Sequence, residues 1–225
     1  MRMRKKRNLE PRMERCAALL LARGAPCKNL KEAAENYRFL LKYVEIFGNT
    51  RPVELEVGCG NGGFLLEKAR REPQTNFLAV ELCTNVILTA MERTMAAGLE
   101  NVRFLNIPAE TLACYIPEHS VRKIYLNFST PLPEKSREKQ RLTSQRFLEI
   151  YKMLLVSGGS IEQKTDSAEF FDYSLSQYEL AGFLTEGITR DLHNSEYAQD
   201  NIVTEYEANF TAQGKPICRC VAVLP

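Results

Sequence analysis

Residues 53–63, VELEVGCGNGG, constrain the fold more than any other stretch of the chain. A short apolar run ends in a cluster of glycines, and the segment FLLEKARRE that follows has helical periodicity. Glycines between a strand and a helix allow the backbone to approach a bound nucleotide, because a Cβ atom would occupy the space of the ligand. The stretch therefore predicts the first strand–loop–helix unit of a nucleotide-binding domain.

Strands and helices alternate along the rest of the chain. The sequence predicts strands at residues 51–57, 76–82, 101–107, 121–128 and 160–165, and helices at 29–48, 64–72, 85–97, 143–156 and 167–182. Two late segments, NIVTEYEANF and ICRCVAVL, are predicted as strands with no helix between them. This order is typical of an α/β fold with helices on both faces of a mostly parallel sheet, here of seven strands with an antiparallel edge.

The expected ligand site follows from this topology, because ligands of such sheets bind beyond the carboxyl ends of the strands. Four segments are expected at that rim: the glycine loop at residues 58–63, Glu81, residues 128–133 and residues 164–166. We expect the functional residues to lie among them.

The composition excludes several classes of protein. Hydrophobic residues make up 44% of the chain, but no apolar run approaches the roughly 18 residues that a membrane helix needs. The seven cysteines form no CxxC pair and the two histidines stand apart, so no metal site is expected. The start of the chain, MRMRKKRNLEPRMER, is basic and lacks the apolar core of a signal peptide. These features predict a cytoplasmic protein with reduced cysteines and no membrane partner.

The same basic start is a candidate for contacts with nucleic acid. The net charge is only +2, so any phosphate binding must come from a local concentration of charge. The chain of 225 residues is long enough for one α/β domain and a short appendage. We predict a basic arm and helix at residues 1–47 and a single domain at 48–225. The alternative for the arm is a solvated tail that binds nothing.

The glycine loop fits two cofactors. Gly58, Gly60 and Gly63 match G-x-G-x-x-G, the pattern of dinucleotide-binding domains. Glu56, placed two residues before Gly58, would repel a pyrophosphate but suits the ammonium group of S-adenosylmethionine (SAM). This carboxylate favours SAM over NAD. Glu81, at the end of the second predicted strand, is placed for ribose hydroxyls in either case.

Taken in order, several segments resemble the bacterial tRNA (guanine-N7)-methyltransferase family. They are LEVGCGNGGFL, NFLAVEL, GLENVRFL, IYLNFSTPLPEK, RLTSQRFLEIYKMLL, GGSIEQKTD, and TEYEANF followed by GKPI. The resemblance covers the chain from about residue 53 to its end and is more specific as an ordered set than in any one segment. It implies a class I SAM methyltransferase with a Rossmann-like fold, and a tRNA substrate methylated on a guanine.

The resemblance also implies roles for individual residues. The expected cofactor-binding residues are Glu56, Gly58, Gly60, Gly62, Glu81, Leu82, Pro108 and Ala109. The expected substrate-binding residues are Glu134, Asp166, Thr204, Glu205, Tyr206 and Glu207. Carboxylates can accept the hydrogens of guanine N1 and N2, and a tyrosine ring can stack on a flipped base. The alternatives are a helix N-cap for Asp166 and an alternating edge strand for residues 204–207.

The chain departs from the family pattern in the segment FSTPLPEKSREKQRL, residues 128–142. The family has Asp-Pro-Trp-Pro-Lys-Lys-Arg-His there, and its Asp is the presumed catalytic residue. Thr130 replaces that Asp, Leu132 replaces the Trp and Glu134 replaces the first Lys. Pro108 stands where the family usually has an acid near the adenine, and a proline offers only its backbone carbonyl. Thr130 is therefore the candidate catalytic residue of a weakened loop.

Three functions are compatible with this sequence. The first is SAM-dependent methyl transfer to guanine N7 of tRNA, with reduced activity, by a monomer or homodimer. The second is an RNA-binding paralogue without catalysis. The third is a SAM methyltransferase that acts on another RNA or on a small molecule.

Overall fold

The computed structural model describes residues 6–25 and 38–225. Within it, the chain divides into two compact units, Met1–Tyr115 and Ile116–Pro225, called here the first and second unit. This division differs from the predicted boundary at residues 47 and 48, which stays a prediction. The part of the chain that the structure describes contains no helix long and apolar enough to cross a membrane.

The first unit is built on four parallel strands. They are β1 (Leu20–Arg23), β2 (Val53–Val57), β3 (Asn76–Val80) and β4 (Val102–Asn106), in the spatial order β1-β4-β3-β2. Its helices are α1 (Leu9–Arg15), α2 (Tyr43–Phe47), α3 (Gly63–Arg71), α4 (Thr84–Ala96) and α5 (Leu112–Tyr115). Every residue of β2 and β3 is buried, as expected for strands of a parallel sheet that is covered on both faces.

The start of the first unit is folded from residue 6 onward. Leu9 and Met13 on α1 are 6% and 4% exposed and belong to the same apolar core as helix α4. Arg12 donates to both carboxylate oxygens of Glu92 on α4, at 2.7 and 2.6 Å. β1 then pairs in parallel with β4 at the edge of this sheet. The basic segment is therefore an integral part of the unit from residue 6, and not a solvated tail.

The second unit contains the antiparallel part of the fold. Its strands are β5 (Val121–Asn127), β6 (Leu155–Thr165), β7 (Leu184–Thr189) and β8 (Cys218–Val223), in the order β5-β6-β8-β7. β5 and β6 are parallel, whereas β8 is antiparallel to both β6 and β7. Its helices are α6 (Gln145–Leu154), α7 (Ala168–Leu180) and α8 (Glu205–Thr211). The α/β fold class and the antiparallel edge are confirmed.

The predicted number of strands, seven, is wrong: the described residues form eight. β1 is only four residues long and half-buried, too short for a periodic pattern, and β7 was not predicted. The predicted strand in NIVTEYEANF is instead helix α8. The reason is a capping box, in which the Thr204 side chain accepts from the Glu207 amide and Glu207 accepts from the Thr204 amide. Residues 29–37 of the predicted helix 29–48 lie outside the described residues. The prediction is wrong for residues 38–42, which are not helical, and the helix Tyr43–Phe47 ends at Gly48 as predicted.

Candidate functional site

The glycine loop follows β2 and leads directly into α3. Gly58, Gly60 and Gly62 all have positive φ angles, of 84°, 54° and 78°. A Cβ atom built on Gly58 or Gly60 would meet no atom within 4 Å, whereas one on Gly62 would lie 2.9 Å from Leu66 Cδ1. Gly62 thus permits close packing of helices, and the first two glycines border open space that a ligand can occupy.

Glu81 lies beside this loop, directly after β3. Its two carboxylate oxygens accept from the backbone amides of Gly60, at 3.3 Å, and Cys83, at 2.8 Å. A carboxylate has about four lone-pair sites, so both oxygens can also accept from the hydroxyls of a ribose. The two amides hold the carboxylate at the mouth of the glycine loop.

Asn106 supports Glu81 from the neighbouring strand β4, a role that the sequence analysis missed. Its Nδ2 donates to the carbonyls of Glu81 and Leu82, at 2.8 and 3.0 Å, and its Oδ1 accepts from Thr84 Oγ1 at 2.8 Å. The side chain of Leu82, held in this way, is 68% exposed. An exposed leucine next to a carboxylate presents an apolar surface on which a flat ring can pack.

Glu56 is buried near the start of the same loop, with 3% of its surface exposed. Burial raises the pKa of the Cys59 thiol well above its usual range, and the charges of Glu56 and Glu81 raise it further. A thiol in this setting stays protonated at neutral pH and is a poor nucleophile. Cys59 is therefore a packing residue rather than a reactive one.

Pro108 and Ala109 follow β4 and are both half-buried. The carbonyl of Pro108 accepts from the amide and the hydroxyl of Thr111, at 3.0 and 2.8 Å. Pro108 thus begins a 3-10 turn, Ala109–Thr111, rather than presenting a polar side chain. Pro108 and Ala109 themselves offer a ligand no polar side chain, and their role in cofactor binding stays a prediction.

The residues of the first unit fit SAM. The open space above Gly58 and Gly60 admits a ligand next to backbone amides, and Glu81 has lone pairs for ribose hydroxyls. Leu82 supplies an apolar surface and Glu56 a negative charge that suits an ammonium group. No group of three or more histidine, cysteine or acidic side chains in the described ranges, 6–25 and 38–225, can hold a metal ion.

In the second unit, the loop after β5 carries Thr130, which is exposed. Phe128 and Leu132 on either side of it have φ angles of 52° and 46°, which non-glycine residues rarely adopt. Such conformations persist only where surrounding contacts impose them. The loop is therefore held in a defined shape around Thr130.

Arg141 provides one of those contacts. Its Nε and one terminal nitrogen donate to the carbonyl of Leu132, at 3.2 and 3.1 Å. Its guanidinium also stacks 4.3 Å from the centre of the Tyr173 ring on α7. Arg141 thus anchors the Thr130 loop to α7, while Lys135, Arg137 and Lys139 are exposed.

Asp166 lies at the end of β6 and is half-buried. The N-cap of α7 is the next residue, Ser167, whose Oγ accepts from the Phe170 amide at 3.2 Å. The alternative role for Asp166, a helix cap, is therefore taken by its neighbour. Burial raises the pKa of Tyr206, and the negative charge of Asp166 raises it further, which places the two side chains in the same electrostatic environment.

Helix α8 carries Glu205, Tyr206 and Glu207, and Thr204 is its N-cap. Glu205 is exposed, and Tyr206 is 50% exposed with its ring centre 5.2 Å from that of Phe128 and 4.7 Å from that of Phe210. Glu134 lies apart on the loop after Thr130, exposed and 4.0 Å from Arg137. Phe128 is an aromatic neighbour that the sequence analysis did not single out.

Glu207 differs from the other candidates because it is completely buried. Its Oε2 accepts from Lys164 Nζ at 2.8 Å, and its Oε1 accepts from Asn201 Nδ2 at 2.6 Å. The exposed carboxylate of this segment is that of Glu205. The assignment of Glu207 to the substrate stays a prediction.

Comparisons with known proteins identify the class. A family described as "Putative methyltransferase" matches residues 50–220. The 16S rRNA methyltransferase KamB resembles the structure with a TM-score of 0.63, at 16% identity, over 81% of this chain and 92% of that one. A SAM-dependent methyltransferase from Aquifex aeolicus gives 0.55, at 13% identity, over 88% of this chain and 100% of that one. The fold is that of class I SAM methyltransferases.

Curated relatives identify the family more closely. The tRNA (guanine-N(7)-)-methyltransferase of Geobacillus sp. (strain WCH70) is 40% identical over 184 residues, which cover 82% of this chain and 83% of the relative. That of Bacillus subtilis (strain 168) is 42% identical over 178 residues, 79% of this chain and 83% of the relative. The chain belongs to the tRNA (guanine-N7)-methyltransferase family, and the resemblance found in the sequence is confirmed.

Proposed function

We propose that this protein transfers the methyl group of SAM to N7 of a guanine in tRNA. The observation that carries the proposal is the arrangement of Glu81 at the mouth of an open glycine loop, in a chain of this family. The relatives' names supply the tRNA and the guanine, and the intact loop supports the use of SAM.

The chemistry requires little from the protein beyond alignment. Bound SAM would supply an electrophilic methyl group. Guanine N7 has an in-plane lone pair and no hydrogen, so no side chain has to remove a proton. Correct alignment of two reactants can lower a barrier by roughly 7–11 kcal/mol. The residues of this chain must therefore orient the base and offset the positive charge that develops on the purine.

In this proposal, the first unit holds the cofactor. Glu56 would bind the ammonium group, Glu81 the ribose and Leu82 the adenine. Gly58 and Gly60 would give the backbone its close approach, Gly62 would let α3 begin beside the loop, and backbone groups of Pro108 and Ala109 would complete the adenine site.

The second unit holds the guanine. The carboxylate of Asp166 is half-buried and that of Glu205 is exposed. These two carboxylates would accept the hydrogens of guanine N1 and N2, and Tyr206 would stack on the ring. Thr204 begins the helix that presents them, and Glu134 lies at the edge of the loop. Thr130 would offer a hydroxyl where a carboxylate would offset charge better, so catalysis is expected to be slower by about 10²–10³.

The oligomeric state and cellular location are part of the same proposal. We infer that the protein works in the cytoplasm on tRNA, as a monomer or homodimer, without a metal ion. Guanine N7 carries no hydrogen, so no metal ion is needed to help deprotonate the nucleophile.

Mass spectrometry of nucleosides tests the proposal directly. Unmodified tRNA incubated with the protein and SAM should gain 7-methylguanosine. If the protein binds both SAM and tRNA but no methylated nucleoside forms, the noncatalytic RNA-binding paralogue replaces the proposal. A different methylated nucleoside, or methylation of another RNA or a small molecule in preference to tRNA, would instead favour the third function.

A further inference from the structure

Two segments of the second unit carry most of the proposed guanine-binding residues, and one buried lysine joins them. Asp166 lies two residues after Lys164 at the end of β6, and Glu205 and Tyr206 begin α8. The side chain of Lys164 is only 2% exposed. Burying a lysine costs free energy unless its charge is paired, so the contacts of Lys164 show which groups its charge stabilises.

Lys164 directs its ammonium group at the segment that leads into α8. Its Nζ donates to Asn201 Oδ1 at 3.0 Å, to the Ile202 carbonyl at 2.9 Å and to Glu207 Oε2 at 2.8 Å. An ammonium group has three donors, and these three acceptors use all of them. Both the approach to the helix and its first turn are thus tied to β6.

The carboxylate of Glu207 also has partners on both of its oxygens. Its Oε1 accepts from Asn201 Nδ2 at 2.6 Å and lies 2.9 Å from His193 Nε2. Its Oε2 accepts from Lys164 at 2.8 Å and from the Thr204 amide at 3.3 Å. Four neighbours around a carboxylate with about four lone-pair sites leave no position for a guanine.

We propose that Lys164 and Glu207 are positioning residues: their buried ion pair holds the start of α8 against the end of β6, so that Glu205 and Tyr206 are presented beside Asp166. Glu207 then acts on the substrate through the helix and not by touching the base. This inference rests on the proposed function, because it concerns the same guanine site.

The physical chemistry of buried pairs gives the inference a specific signature. Removing one partner of such a pair leaves an uncompensated buried charge and is much more disruptive than neutralising both. Lys164→Met should therefore loosen α8, and a second change, Glu207→Gln, should relieve part of that damage. A Glu207 that bound guanine directly would instead make the second change harmful in either background.

The test is a double-mutant cycle on methyl transfer to tRNA under saturating SAM. We expect Lys164→Met to lower kcat/KM by about tenfold or more, because a buried charge loses its partner. Glu207→Gln alone should also lower kcat/KM, because the buried charge of Lys164 then has no counter-charge, although the amide oxygen can still accept from Lys164. The double variant should be more active than Lys164→Met. A double variant that is no more active than Lys164→Met would overturn the inference.

Two measurements keep the result independent of catalysis. Hydrogen exchange in Lys164→Met should rise selectively in residues 204–211, and unchanged exchange there would contradict the inference even if tRNA is not a substrate. Calorimetry should show unchanged SAM binding, because the proposed cofactor residues lie in the first unit. Lys152→Met is the matched control: Lys152 pairs with Glu149 on the surface of α6 at 2.9 Å, and its loss should leave exchange at α8 and activity unchanged.

If Lys164→Met does not fold, Glu207→Gln alone decides the question: hydrogen exchange of residues 204–211 should rise in this variant and not in Lys152→Met, and unchanged exchange there would overturn the inference. If the native protein transfers no methyl group to tRNA, the proposed function fails, and the exchange measurement still decides the positioning role of Lys164.

Discussion

The two units build their candidate sites in different ways. In the first unit, the glycine loop directly follows β2 and Glu81 directly follows β3, and backbone amides of Gly60 and Cys83 hold the carboxylate in place. In the second unit, the candidates lie on a loop, at a strand end and on a helix, and side chains far apart in sequence, such as Lys164 and Glu207, connect the strand end to the helix. A site made by the backbone is readable from a short motif, whereas a site made by long-range side-chain contacts is not.

This difference should appear most strongly in a pair of glycine variants of the first unit. We expect Gly60→Ala to weaken SAM binding by about 100-fold or more, because a methyl group enters the ligand space and its φ of 54° disfavours a side chain. Calorimetry with SAM measures the affinity, and thermal unfolding measures the stability.

Gly62→Ala is the matched control for that variant. Its φ is also positive, but its Cβ atom would meet Leu66 at 2.9 Å and Ala90 at 3.0 Å. We expect the larger loss of stability, roughly 1–3 kcal/mol from overpacking, in this variant. Equal SAM binding by Gly60→Ala and the native protein would show that the loop does not hold the cofactor.

The second prediction concerns the exposed Thr130 of the second unit. Thr130→Asp should raise the rate of methyl transfer by up to about 10²–10³, because a carboxylate can offset the charge that develops on the purine. Single-turnover transfer to tRNA at saturating SAM measures this rate. Thr130→Asn is the control, since it adds a similar shape without charge. An equal gain from both variants would assign the effect to shape.

The third prediction separates the two kinds of basic residue in the loop after β5. Arg141→Gln should lower the rate by about tenfold with little change in the salt dependence of tRNA binding, because Arg141 anchors the Leu132 carbonyl and stacks on Tyr173. Lys139→Gln should leave the rate at saturating tRNA unchanged and reduce the slope of log affinity against log salt by about one, as expected for a lost phosphate contact.

Measurements of kcat and of tRNA affinity at several salt concentrations distinguish these outcomes. If Arg141→Gln changes the salt slope while leaving the rate unchanged, then Arg141 contacts phosphate and does not position the loop.

The smallest expected effect belongs to the basic start of the first unit. Deleting residues 1–12 would also remove Leu9 from the core, so that deletion would not test binding alone. Arg7 is exposed and lies before α1. We expect Arg7→Gln to weaken tRNA binding only a few-fold and to reduce the salt slope by about one.

Arg12→Gln is the control for the start of the chain, because Arg12 is paired with Glu92. It should leave the salt slope of tRNA binding unchanged. Unchanged slopes for both variants would remove the start of the chain from the RNA-binding surface.

The sequence by itself determined the fold class, the family and the expected place of the cofactor. These depend on local signals: apolar periodicity, glycines that permit positive φ angles, and an acidic residue at a strand end. Helix α8 was open to the same kind of inference, since TEYE contains the Thr-x-x-Glu spacing of a capping box, but its alternating pattern was interpreted as a strand.

Only the tertiary structure decided which polar residues are exposed to a substrate and which hold the site together. Glu205 and Glu207 are two residues apart, yet one is exposed and the other is buried against Lys164, 43 residues earlier in the chain. Likewise, Arg141 and Lys139 are both basic, and only the position of the Leu132 carbonyl and the Tyr173 ring separates their roles. Burial and charge pairing depend on neighbours that folding brings together, so no local pattern specifies them.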